Sequence, residues 1–172
     1  RADLTGTGLA GASLEHANLY EADLTGADLS GADLEGVNLI RAQLRIADLR
    51  WAKLSDAELD GAKLVSADLT GTNLTGASLN RSDLSRANLT KVDLTRADLS
   101  RADLSRTALI KATLVGTNFY RATLDNADLT QADLTNADLT GVSNHNVIMD
   151  DVVLCGTLMQ TRIKEYSGCP KP

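Results

Sequence analysis

Residues 127–141 read Ala127-Asp128-Leu129-Thr130-Gln131, then Ala132-Asp133-Leu134-Thr135-Asn136, then Ala137-Asp138-Leu139-Thr140-Gly141. A small residue, a carboxylate, a leucine and two further residues recur with a period of five. Stepping outward in fives reaches Leu4 in one direction and Met159 in the other, and gives 32 centres. All are Leu except Phe119, Asn144, Met149 and Met159. Two residues before each centre stands a small residue: 21 Ala, five Thr, five Val and one Ser. The residue between is usually Asp or Asn.

No straight element accommodates this pattern. On an α-helix five residues turn through about 500°, so successive leucines drift by about 140° and no apolar face forms. On a continuous strand an odd period sends alternate leucines to opposite faces. The pattern closes only if the chain turns a corner once per repeat. The small residue and the leucine, two apart, then point inward from a short extended piece, and the Asp or Asn between them points out. The last two residues form the corner. They are often Gly, Ser, Thr or charged, as exposed turns favour. Stacked coils pair edge to edge at about 4.8 Å, each burying its leucine layer against the next.

Periodicity alone leaves the number of sides open. The A(D/N)LXX units, as in Ala22-Asp23-Leu24 and Ala87-Asn88-Leu89, resemble the pentapeptide-repeat family over residues 1–159. That resemblance implies an all-β fold, a right-handed quadrilateral β-helix with four repeats per coil. It would make about eight coils and a rod of roughly 38 Å. The ends Leu154-Cys155-Gly156-Thr157 and Ser167-Gly168-Cys169-Pro170 are similar to those of some cyanobacterial members.

Composition agrees with a narrow interior. Five aromatic residues are present, Tyr20, Trp51, Phe119, Tyr120 and Tyr166, fewer than a core of this size usually holds. The formal charge of −6 argues against direct binding of nucleic acid or anionic membrane through net charge. No run of about 18 apolar residues spans a membrane. Arg1 falls inside a repeat and the chain does not open on Met, so a targeting segment, a cap or another domain is expected upstream.

The pattern degrades towards residue 159. Val142, Val147 and Val152 take the small position, and Ile148, Val153 and Leu158 take the outward one. A terminal coil has one neighbour and an open end to cover. Residues 160–172, with Ile163, Tyr166 and Cys169, are expected to fold over it as a capping tail. Cys155 and Cys169 are either a disulfide staple or two reduced thiols of a cytosolic protein; their placement favours the staple. An oxidising compartment, a thylakoid lumen or periplasm, follows from the disulfide, and the cytoplasm from the thiols. A zinc site adding His145 lacks paired ligand spacing. At the other end residues 1–20 are already in register, and a weak homodimer through this coil is expected.

No catalytic constellation, metal site or cofactor motif stands out. His16 and His145 fall at exposed corners about six coils apart, and the regular Asp residues follow from the repeat. Charge is banded. Residues 1–80 carry 6 basic and 12 acidic groups, residues 81–121 carry 8 and 4, and residues 122–172 carry 3 and 7. The eight cations are Arg81, Arg86, Lys91, Arg96, Arg101, Arg106, Lys111 and Arg121, all at one corner position. They form either a solvated belt partly neutralised by Asp83, Asp93, Asp98 and Asp103, or a docking belt for an acidic protein partner. Outward apolar residues Tyr20, Ile40, Ile46, Trp51 and Tyr120 form a candidate surface patch. The expected function is a non-catalytic structural or protein-interaction module. The family resemblance implies the alternative, an acidic rod that imitates DNA and modulates DNA gyrase; the basic band breaks the continuous negative face such a mimic needs.

Overall fold

Each repeat has five backbone N–H groups to satisfy, and their partners define the architecture. The computed structural model describes residues 1–159, the backbone of Lys164–Glu165, and Cys169. In the repeat centred on Leu24, the Leu24 N–H donates to Gln43 O and the Gly26 N–H to Arg45 O, both on the following coil. The Asp23 N–H donates back to Ala2 O. The Ala27 N–H closes the corner onto Leu24 O at 3.0 Å. The Thr25 N–H donates to the Asp23 side chain at 3.1 Å.

The outward Asp or Asn therefore has a backbone task. Its carboxylate or amide oxygen accepts the N–H two residues on, an Asx turn, as at Asp68 with Thr70, Asn118 with Tyr120 and Asp138 with Thr140. Parallel bridges join residues twenty apart, from Asp3↔Asp23 to Asp138↔Leu158, so one circuit takes four repeats. Each side is too short to carry more than a single bridged residue.

The corner residue, two after each centre, has positive φ throughout from Gly6 to Gly156. With the hydrogen bond that closes the corner, this is the signature of a type II turn. Glycine is the natural occupant, yet twenty of these corners carry other residues, among them Arg81 at φ 57 and Trp51 at φ 59. Two glycines have a further reason. A Cβ on Gly71 would overlap the ring of Trp51, and one on Gly36 would overlap the ring of His16. The large corner side chain lies over the glycine one coil further on.

Inside, Ala22, Leu24 and their successors are buried through Leu134 and Ala137. Thr72, Ser82, Thr107 and Thr117 take the small position without stranding a hydroxyl. Thr72 Oγ1 donates to Leu49 O and Ser82 Oγ to Leu79 O, both at 2.7 Å, and Thr107 and Thr117 behave likewise. The first-coil leucines Leu4, Leu9, Leu14 and Leu19 are half-buried.

At the far end Val142, Val147, Met149 and Met159 leave a small apolar cavity of about 30 Å³. Asn144, an expected centre, is exposed. Strand β1 (Thr157–Leu158) pairs antiparallel with β2 (Lys164–Glu165), Thr157 opposite Glu165. Cys155 and Cys169 are disulfide-bonded, their Cα atoms 4.7 Å apart. Ile163 and Tyr166, expected in the lid, lie outside the described residues.

Candidate functional site

The corner geometry sends every corner side chain outward. All eight belt cations are exposed, and twenty-residue spacing stacks Arg81, Arg101 and Arg121 on one edge, Arg86 with Arg106 on the next, and Lys91 with Lys111 on the third. Among the described residues none of the eight meets a carboxylate within 4.0 Å; Arg121 instead stacks over the Tyr120 ring, 5.1 Å from its centroid.

The basic residues before position 80 behave differently. Five of the six are paired: Arg1 with Asp23, Arg41 with Glu21, Arg50 with Asp48, Lys53 with Asp33 and Lys63 with Asp83. Hydrogen bonds from Lys53 hold the Asp33 carboxyl below its usual range, and Asp33 in turn raises Lys53.

Among the described residues the belt's own aspartates, Asp83, Asp93, Asp98 and Asp103, meet none of its cations within 4.0 Å. Those carboxylates face their own turns. Asp83 accepts the Ser85 N–H and hydroxyl, Asp93 the Thr95 N–H, Asp98 the Ser100 N–H and Asp103 the Ser105 N–H. Of the four, Asp83 alone also meets a cation among the described residues, and that is Lys63 from the coil below the belt. Between Arg86 and Arg106 opens a shallow groove of about 370 Å³, lined also by Val65, Ser85, Asp103, Ser105 and Asn126.

The apolar residues do not form one patch. Ile46 and Trp51 are 65% and 63% exposed, on adjacent corners. Tyr20 is exposed and its hydroxyl accepts from Arg41 at 3.4 Å. Ile40 and Tyr120 are half-buried. Tyr120 shares their column, but Asp60, Asn80 and Ser100 intervene, so it belongs with Arg121 rather than with Tyr20 and Ile40.

His16 and His145 stay far apart. His145 is held by Asp125 on the coil below, which accepts the His145 backbone N–H at 2.9 Å and faces Nδ1 at 3.1 Å. That backbone bond, followed by the Ser143 hydroxyl, keeps the Asp125 carboxyl below its ordinary value of 3.8. Among the described residues no group of three or more His, Cys, Asp or Glu is placed to hold a metal ion, and no helix is long and apolar enough to cross a membrane.

One feature escaped the sequence reading. At Ala108 the outward position holds a methyl group, and the backbone N–H of Ile110, which an Asx side chain would accept, makes no hydrogen bond among the described residues. The signal was present in Thr107-Ala108-Leu109, where the acid is missing from the middle of the belt.

A coil of four five-residue sides, closed by positive-φ corners and stacked through twenty-residue bridges, is a four-sided β-solenoid. The chain belongs to the pentapeptide-repeat family: the pattern described as pentapeptide repeats matches it in eight copies, across residues 1–36, 32–71, 42–81, 67–106 and 102–141. Among solved structures it is similar to HetL, a pentapeptide repeat protein involved in heterocyst differentiation regulation from the cyanobacterium Nostoc sp. strain PCC 7120. The identity is 29% over 95% of this chain and 89% of HetL, with a TM-score of 0.63. It is also similar in fold to trypsin-treated QnrB1, a plasmid-mediated fluoroquinolone resistance protein, at 20% identity over 92% of this chain and 87% of that one, with a TM-score of 0.75. No curated protein matches it in sequence.

Proposed function

We propose that this chain is a non-catalytic binding module, a right-handed rod of about eight coils closed by a tail from residue 160, whose basic belt docks a protein partner. The observation that carries this reading is the contrast in pairing. Five of the six cations before position 80 find carboxylates on the rod, whereas those of the belt find none within 4.0 Å among the described residues. Exposed ion pairs contribute little to folding, so charges held apart from partners on the rod are free to meet one elsewhere. The regulatory involvement of HetL supports a binding role. Affinity capture with the native rod, and with a variant carrying Asn at all eight belt positions, tests it. A partner retained by the first and lost by the second is expected; identical capture by both refutes the belt's role.

A gyrase modulator is the second reading, favoured by the outward acids of residues 1–80. The belt interrupts that negative surface, so no effect on gyrase supercoiling, with or without a quinolone, is expected; protection of the enzyme would establish this reading instead. The disulfide supports residence in an oxidising compartment. Reactive thiols at both Cys155 and Cys169 in protein purified without reductant would return it to the cytoplasm.

A further inference from the structure

The binding rod proposed above gains a specific contact point at Ala108, and this inference rests on that reading. Several other repeats also lack an Asx acceptor, and in two of them the chain replaces it. With Ser78 in the outward position, the Asn80 N–H donates to Asp60 at 3.0 Å. With Ser143 there, the His145 N–H donates to Asp125 at 2.9 Å. In both, a carboxylate at the corner one coil below stands in. Below Ile110 the equivalent residue is Thr90, which has no carboxylate to offer. Other amides share this state, such as Val115 within the belt, but there Thr113 fills the outward place with a polar side chain. At Ala108 the place is empty but for a methyl group.

The surroundings select the charge of whatever fills it. Ala108 bridges Asn88 on the coil below. The two corners of its own side are Arg106 and Lys111, and those of the Asn88 side are Arg86 and Lys91, all four exposed and unpaired among the described residues. Neither side bears a carboxylate. The nearest acid on the next coil, Asp128, is occupied by the N–H and hydroxyl of Thr130.

We propose that Ala108 marks a docking point for a carboxylate side chain of an acidic protein partner. That carboxylate accepts the Ile110 N–H, as an aspartate or asparagine side chain does in most other repeats, and lies between Arg86, Arg106, Lys91 and Lys111. Charge banding favours a short acidic peptide segment over nucleic acid. The belt is only about two coils tall, roughly 10 Å, with net negative segments on both sides. A duplex carries a charge every ~1.7 Å and would overhang onto those segments, whereas an extended peptide crossing the rod would not.

Ala108→Asp provides the test, because it restores the family pattern and fills the place from within. Asp83 and Asp103 already stack on neighbouring coils, so the fold tolerates such a ladder. The full chain is titrated with a fluorescent Glu-rich peptide and with a short DNA duplex. The native rod is expected to bind the peptide in a salt-sensitive manner and to prefer it to the duplex. Ala108→Asp should keep or raise the Tm and weaken peptide binding by about tenfold or more. A variant with Asn at positions 86, 91, 106 and 111 should lose binding too, since Asn tolerates positive φ. Unchanged binding by Ala108→Asp overturns the proposal, as does equal affinity for the duplex. A native dimer that Ala108→Asp dissolves would assign the place to a second copy and overturn it also. Retained capture of a native partner by Ala108→Asp would refute this site while leaving the binding-rod reading intact.

Discussion

The backbone N–H of His145 donates to the carboxylate of Asp125, one coil away. Here a corner acid does the work that the outward Asp does in its own repeat, and it joins two coils in doing so. The carboxyl is held below its ordinary 3.8 by that bond and by the Ser143 hydroxyl. Its contribution to stability is therefore fully present above that ordinary value and disappears as pH falls through the lowered folded-state value. Asp23 and Asp28, lowered by the hydroxyls and N–H groups of Thr25 and Ser30, add in the same direction. Thermal melts should show a Tm flat above about pH 5 and falling below pH 4. In Asp125→Ala that acid-side fall should be shallower, and hydrogen exchange at the His145 amide faster at neutral pH.

The interior admits one large and one small side chain per side. Ala62 and Ala97 are buried among leucines, so Ala62→Leu or Ala97→Leu should cost about 1–3 kcal/mol. Urea denaturation measures this; a change under about 0.5 kcal/mol would contradict the packing described.

Trp51 is the single tryptophan and reports on its corner. Gly71→Ala places a methyl group where the ring lies and holds it at φ +68. A loss of about 1–2 kcal/mol is expected from the left-handed backbone alone, with a change in tryptophan fluorescence. In the Trp51→Ala background the same substitution should retain only the backbone part of the loss.

Reducing Cys155–Cys169 should lower stability by on the order of 3 kcal/mol for a closed loop of this length in the chain-entropy model. Loss of amide protection should begin at the β1–β2 pairing and reach the mid-rod coils last, since each coil of a solenoid rests on its neighbours.

The inward rows were legible in the sequence because a period of five leaves few ways to bury Leu24, Leu29 and Leu34 together. The outward direction of Asp23 was legible for the same reason. Its backbone acceptor role was not, because that depends on the φ of the corner that follows. Positive φ at Arg81 or Trp51 was hidden too: neither residue announces it as glycine does, and only pairing with the next coil forces it. The belt's composition could be counted from the chain, but its lack of carboxylate partners among the described residues could not. Whether Lys53 meets Asp33 while Arg101 meets no described acid depends on the direction in which each side chain leaves its coil. The grouping of Tyr120 with Tyr20 and Ile40 failed because a shared column is not adjacency when Asp60, Asn80 and Ser100 lie between.

Four repeats per circuit also bear on how such a rod changes over generations. Gain or loss of twenty residues lengthens or shortens it and leaves every column aligned. Gain or loss of five keeps the alanine and leucine rows continuous, yet rotates everything beyond by a quarter turn. A single pentapeptide inserted between residues 81 and 101 would move Arg101 off the edge it shares with Arg81 and set it above a different face. The surface pattern of the rod can thus be re-dialled by duplication alone, with the interior none the wiser.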